Sequence, residues 1–229
     1  WDHAVFGCIL PKNWIPLLGG SHAMNRLGEW VIDRAMRDHA RLAALGHDLW
    51  MSVNIGSNHF VSPGFIDSVE TIRSARQFDT AQLEIEVTED ALFVSEQRSV
   101  STFTQLHDLG YKISIDDFGT GYSNITRLAH LPVDFLKVDH SLIAGACADE
   151  RVRTILASTM EMAAKLGCRT VAEGIETRRQ AEFATELGAD CLQGHFFAYS
   201  LPFDELTDWL DFQATPAGHT YLRPHIASV

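Results

Sequence analysis

Strand-like and helix-like runs alternate along most of these 229 residues. Short apolar runs rich in β-branched or aromatic residues predict strands over Leu49–Ile55, Gln82–Val87, Lys112–Ile115, Phe135–Val138, Arg169–Ala172 and Cys191–Gln193. Helical spacing of apolar residues predicts an opening helix over Met24–Ala44. Further helices are predicted over Gly64–Arg76, Ser95–Leu109, Ser123–Ala129, Asp149–Leu166, Arg178–Leu187 and Phe203–Phe212. Strands that alternate with helices predict parallel βα units. The strand count is two short of a closed eight-stranded barrel.

The polar residues fall at one end of these strands. Asn54 ends the first, and Glu86 and Glu89 end the second. Asp116 and Asp117 end the third, and Lys137 and Asp139 the fourth. Glu173 and Glu176 follow the fifth, and Gln193 closes the sixth. In a (β/α)₈ barrel the carboxyl ends converge on one face, where active sites are built. Solubility alone does not ask for such a register.

The segment from Ile113 to Ser123 carries the densest chemistry. Two adjacent carboxylates, Asp116 and Asp117, precede a loop with Gly119 and Gly121. Adjacent carboxylates repel unless a cation lies between them or they share a proton. The plainer reading is a turn in which the side chains cap backbone amides. Asp117-Phe118-Gly119 is also a triplet found in protein kinases, but no Gly-rich nucleotide loop and no His-Arg-Asp loop accompany it.

Seven segments are distinctive: Val53-Asn54-Ile55, Glu86-Val87-Thr88-Glu89, Asp116-Asp117-Phe118-Gly119-Thr120-Gly121-Tyr122-Ser123, Leu131-Pro132-Val133-Asp134, Lys137-Val138-Asp139, Ala172-Glu173-Gly174-Ile175-Glu176-Thr177 and Gln193-Gly194. Taken together, they resemble the EAL family of cyclic-di-GMP phosphodiesterase domains. Trp1 looks like the Trp of an Arg-Trp pair that follows the family's Glu-Ala-Leu triplet. The expectation is therefore an α/β, TIM-type (β/α)₈ barrel lacking the family's first two strands. It would occupy residues 1–212, with an irregular extension over 213–229. The signature Glu and a nearby substrate-binding Arg would either lie upstream in a parent protein or have been lost. Departures from the family pattern are Gly56 for Ser, Asn124 for Ser, His140 for Arg and Gly19-Gly20 for an acidic segment.

The resemblance implies a metal-dependent hydrolase that opens cyclic-di-GMP to linear pGpG, provided the upstream Glu is present. Asn54, Glu86, Asp116, Asp117 and Glu173 would hold two Mg²⁺ or Mn²⁺ ions. Lys137, Glu173 and Gln193 would be catalytic, Asp139 and Glu176 would bind substrate, and Glu89 would anchor the loop from Phe118 to Asn124. Two plainer roles stay open: Lys137 pairing with Asp116 in a structural network, and Glu173 capping a helix. The alternative function is an inactive cyclic-di-GMP receptor that signals by conformational change. The implied partners are a second copy, paired through the helix over Ser123–Ala129, and upstream sensory or GGDEF-type domains.

Composition fits an intracellular barrel, and the expected location is the cytoplasm, with a parent protein that could be membrane-anchored. A net charge of −12 argues against DNA or RNA binding. It is also at odds with a doubly charged phosphate substrate, unless divalent cations neutralise the carboxylates. No apolar run is long enough to span a membrane. Cys8, Cys147, Cys168 and Cys191 have no paired spacing and read as reduced thiols. The 11 histidines show no zinc pattern.

Overall fold

A computed structural model of the chain describes residues 1–19, 21–119 and 125–215. A small antiparallel hairpin opens it, β1 (Asp2–His3) against β2 (Gly7–Cys8). The His3 ring fastens the turn by accepting from the backbone N–H groups of Val5 and Phe6 at 3.1 and 3.3 Å. Helices α1 (Pro11–Leu18) and α2 (His22–Ala44) follow. The sequence reading did not predict the hairpin or α1, since neither carries a long periodic run.

Then come β3 (Met51–Asn54), α3 (Ser57–Phe60), α4 (Phe65–Arg76), β4 (Leu83–Thr88), α5 (Ala91–Val94), α6 (Glu96–Asp108) and β5 (Lys112–Phe118). The chain continues through α7 (Ile125–Leu128), β6 (Phe135–Val138), α8 (His140–Ala146), α9 (Glu150–Leu166) and β7 (Arg169–Ala172). It ends with α10 (Arg178–Glu186), β8 (Cys191–Leu192) and α11 (Phe203–Gln213). The last helix runs one residue past the expected end at Phe212, and residues 216–229 lie outside the described part.

Strands β3 to β8 form one sheet in sequence order, each parallel to the next. That is the strand order of a βα barrel, here with β3 and β8 at its two margins. Side chains alternate across each strand. Leu83, Ile85, Ile113, Ile115 and Leu136 are fully buried in apolar cores beneath the helices. Their neighbours Glu84, Glu86, Ser114 and Lys137 take the other parity. A strand with one apolar and one polar parity thus aims its polar groups into the barrel.

Helix α2 shows how the outer layer is held. Ile32, Met36, His39 and Leu42 recur at helical spacing and are all buried. Its far face carries Arg34–Asp38 and Arg37–Asp33 ion pairs, and Arg76 of α4 reaches the same Asp33 at 2.7 Å. The expected short helix over Ser123–Ala129 is seen as α7, but residues 120–124 lie outside the described part. Within α7, Leu128 is buried in the main core.

Candidate active site

The polar parity of four neighbouring strands converges on Lys137. Its ammonium lies 2.8 Å from Glu86 Oε2, 2.7 Å from Glu173 Oε1 and 3.6 Å from Asp116 Oδ1. Glu86 comes from β4, Asp116 from β5, Lys137 from β6, and Glu173 follows β7. The Lys137 side chain is only 4% exposed. Burial by itself would lower its pKa, but the charges of Glu86 and Glu173 and their hydrogen bonds outweigh this and raise it, so the ammonium stays charged.

Asp117 joins the cluster through an irregularity. The pairing of β5 with β6 slips between Ile115 and Phe118, so β5 holds one residue too many. Asp117 sits at that bulge with φ of 56°, a left-handed conformation uncommon outside glycine. Its N–H donates to the Asp116 carboxylate at 3.0 Å. In a flat strand two successive side chains point to opposite faces. With the bulge, carboxylate oxygens of Asp116, Asp117 and Glu173 all lie within 4.8 Å of one another. The expectation of a strand stopping at Ile115 is therefore corrected: β5 continues through both acids to Phe118.

The carboxylates feel one another. Burial raises the Asp117 carboxyl, and the charges of Asp116 and Asp139 raise it further. Glu173 is pushed up to about 7, first by burial and also by Asp116 and Glu86, against the pull of Lys137. Three oxygen donors at this spacing, with two carboxyls displaced upward, fit a hard divalent cation. Below Glu86, the buried carboxyl of Glu84 is also pushed up by burial. The Ser52 hydroxyl donates to Glu86. The alternation in Leu83-Glu84-Ile85-Glu86 was the signal for Glu84, which the sequence reading passed over.

Other expected residues have separate surroundings. Asn54 is exposed at the end of β3, in register with Glu86. Glu89 is buried, and its backbone N–H donates to the Asp116 carbonyl at 3.2 Å. The loop it was expected to anchor falls mostly on residues 120–124, outside the described part. Asp139 caps α8, a helix missed in the sequence, by accepting from the Ser141 N–H at 2.9 Å. The Ser141 hydroxyl and His140 Nδ1 also bond to it. Burial pushes the Asp139 carboxyl upward, but these hydrogen bonds prevail and leave it below its usual range.

The loop after β7 is built to tight tolerances. Gly174 has φ of 63°, and a Cβ there would lie 2.2 Å from the His140 Cβ. A capping box follows, in which Thr177 Oγ1 accepts from the Gln180 N–H and Gln180 Oε1 accepts from the N–H groups of Glu176 and Thr177. The helix cap is thus Thr177 and not Glu173. Gln193 is pinned by backbone bonds: its N–H donates to Ala172 O at 2.9 Å, and its carbonyl accepts from the Ile175 N–H at 3.0 Å.

A cavity of about 830 Å³ opens over these groups. Asp117, Asp139, Glu173, Glu176 and Gln193 line it, together with His140, His195, Tyr199 and Trp209. His195 and Tyr199 were not anticipated. Their only signal was an aromatic-rich stretch directly after Gln193-Gly194.

The EAL domain family model matches residues 1–200. The cyclic di-GMP phosphodiesterase NbdA of Pseudomonas aeruginosa is 36% identical over 220 residues, which cover 94% of this chain and 28% of NbdA. The bifunctional diguanylate cyclase/cyclic di-GMP phosphodiesterase MucR of the same organism is 34% identical over 207 residues, covering 90% of this chain and 30% of MucR. The chain thus spans less than a third of the length of either relative. A solved structure described as the PaMucR phosphodiesterase in complex with c-di-GMP superposes with a TM-score of 0.85 at 34% identity. It covers 90% of this chain and 84% of that one. The EAL domain of Mycobacterium smegmatis DcpA superposes at 0.77 with 30% identity, covering 84% and 87%.

Proposed function

The chain belongs to the EAL domain family, and on that premise we propose that it hydrolyses cyclic di-GMP to linear pGpG with divalent metal ions. The observation that carries this reading is the convergence of Glu86, Asp116 and Glu173 on Lys137, with Asp117 folded into the same cluster by a bulge. Relatives named as cyclic di-GMP phosphodiesterases support the choice of substrate.

Asn54, Glu86, Asp116, Asp117 and Glu173 would hold the ions, two Mg²⁺ or Mn²⁺. Bound there, divalent metal would polarise the phosphodiester and make water a competent nucleophile at neutral pH. The protein supplies the rest. Glu173, bonded to Lys137 beside Asp116 and Asp117, can accept a proton from the attacking water at its carboxylate oxygen. Lys137 offers a fixed positive charge against the negative charge that builds on the phosphoryl oxygens. Gln193 lines the cavity and would position the water or the metal-bound assembly through its side-chain amide. Asp139 and Glu176 line the same cavity and contact the substrate away from the reacting phosphorus.

The test is chromatography of cyclic di-GMP incubated with the protein and Mg²⁺ or Mn²⁺. The expected result is pGpG, lost in Asp116→Asn. Intact cyclic di-GMP after incubation, with tight binding measured by calorimetry, would overturn the hydrolase reading in favour of a receptor.

A further inference from the structure

Helices α2, α3 and α4 meet over a buried imidazole that takes no part in the acidic cluster. His59 of α3 is 2% exposed, and its Nδ1 has no hydrogen-bond partner among the described residues. A buried polar nitrogen without a partner is uncommon and calls for a reason. The ring sits on the bare backbone of Gly28 in α2: a Cβ there would lie 2.5 Å from Nδ1 and 2.8 Å from Cε1. Glycine weakens a helix interior, and here it makes room for the ring. The ring also meets Phe65 of α4 edge-on, at 4.9 Å between centroids.

We propose that His59 is an acid-sensitive latch, closed while its imidazole is neutral and released when the ring takes a proton. The neutral ring can leave Nδ1 as a bare acceptor and carry its hydrogen on Nε2. A proton on Nδ1 adds a donor and a full charge where no acceptor is offered. The charged group that acts on the ring is Glu29 of α2, and its carboxylate is already engaged, accepting from the Ser68 hydroxyl of α4 at 2.9 Å. Helix α5, which packs on α3, contributes the buried apolar Ala91 and Leu92. Burial holds the imidazole below its ordinary pKa of 6.5, and Glu29 offsets only part of this. As pH falls below that ordinary value, the unfolded segment binds a proton that the latched one refuses, so the latched state loses stability.

The release is local. Helix α3 is four residues long, a single turn that does not hold itself without its packing. It follows the end of β3 closely. The Ile55 N–H donates to Glu86 O at 2.8 Å, and the hydroxyls of Ser57 and Thr88 share a hydrogen bond of 3.0 Å. Freeing α3 therefore loosens the ends of β3 and β4, where Asn54 and Glu86 stand. The raised carboxyl of Glu173 slopes stability the other way with pH, so the two effects are separable by sign.

The experiment compares the protein with His59→Gln and His59→Leu, which keep an uncharged side chain there, and with His39→Gln at the other buried histidine, on α2. The imidazole is titrated by carbon NMR. Amide hydrogen exchange of residues 57–61 is read against that of α10 at about pH 5.5 and about pH 7.5. Both readouts are taken without metal or substrate, so they do not depend on the hydrolase reading. We expect the His59 ring to titrate below 6.5, and lower still in Glu29→Gln. Relative to α10, residues 57–61 should exchange about tenfold faster at the lower pH in the protein and in His39→Gln, and not in the two His59 variants. A ring that titrates at 6.5 or above overturns the latch. So does an acid response that persists in both His59 variants, or one in which α10 opens together with α3. Should neither His59 variant fold, the titration and the exchange of the parent decide it alone.

Discussion

Lys137 Nζ lies 2.7 Å from Glu173 Oε1, deep in the sheet and almost closed to water. A buried ammonium and the acids around it stand or fall together. Lys137→Met removes the only cation bonded to Glu86 and Glu173 among the described residues. Stability should drop by about 3–5 kcal/mol, because uncompensated charge is left buried. Urea unfolding without divalent metal measures this, and added Mn²⁺ should recover more stability in the variant than in the parent.

Glu173 predicts a pH effect with a definite sign. Its carboxyl is raised from 4.5 to about 7 on folding. Between those values the folded chain keeps a proton that the unfolded chain has released. Metal-free stability should therefore fall as pH rises from about 4.5 to 7. Metal competes with that proton, so metal affinity should rise over the same window. Thermal melts in chelator across the range test the first point, and Glu173→Gln should flatten the slope.

Glu86 and Glu89 stand three positions apart yet have different surroundings. Glu86 bonds to Lys137, whereas the Glu89 backbone holds Asp116. Glu86→Gln should abolish metal binding and turnover. Glu89→Ala keeps the backbone N–H that meets Asp116 and should keep a metal site, while loss of the buried carboxyl expected to anchor the loop after β5 should lower turnover by an order of magnitude or more. Metal titrations on both variants decide it: normal binding in Glu86→Gln with loss in Glu89→Ala would reverse the assignment.

Asp117 couples backbone and chemistry. Asn tolerates a left-handed backbone nearly as well as Asp, so Asp117→Asn should stay within about 1 kcal/mol in stability. Its turnover should fall at least about a hundredfold. Asp117→Val should also lose about 1–3 kcal/mol, since a β-branched residue resists φ of 56°. Equal stability of the two variants would show that the backbone relaxes.

Calcium offers a simple check on the ligand set. It prefers longer bonds and more oxygens than Mg²⁺. It should occupy the acidic cluster, hold cyclic di-GMP and stop turnover. Equal rates in Ca²⁺ and Mg²⁺ would count against a site with strict geometric demands.

Much of this was legible in the chain. Runs such as Phe135–Val138 and Arg169–Ala172 coincide with β6 and β7 because three apolar or β-branched residues out of four in a buried parallel strand leave little choice. Convergence of Glu86, Asp116, Lys137 and Glu173 followed from their place at strand ends. Helix α8 escaped because its signal is one capping Asp139 before a seven-residue stretch. Lys137 as a bonded hub was one of two open readings, and only distances could show how many acids it holds. The bulge in β5 depends on pairing with β6, which no local pattern reports.

That bulge has a consequence for the rest of its strand. A sheet keeps a two-beat rhythm, and β5 adds one beat. Phe118 is buried with the apolar core that also holds Ile113 and Ile115. In an unbroken count it would share the parity of Ser114 and Asp116 and turn toward the acids, while Asp117 would turn into hydrocarbon. The additional residue resets the phase for both. Flattening the bulge with every residue kept would thus exchange the places of oil and charge beyond Ile115, whereas deleting Asp117 would leave Phe118 opposite Val138 in the core phase and subtract only the carboxylate.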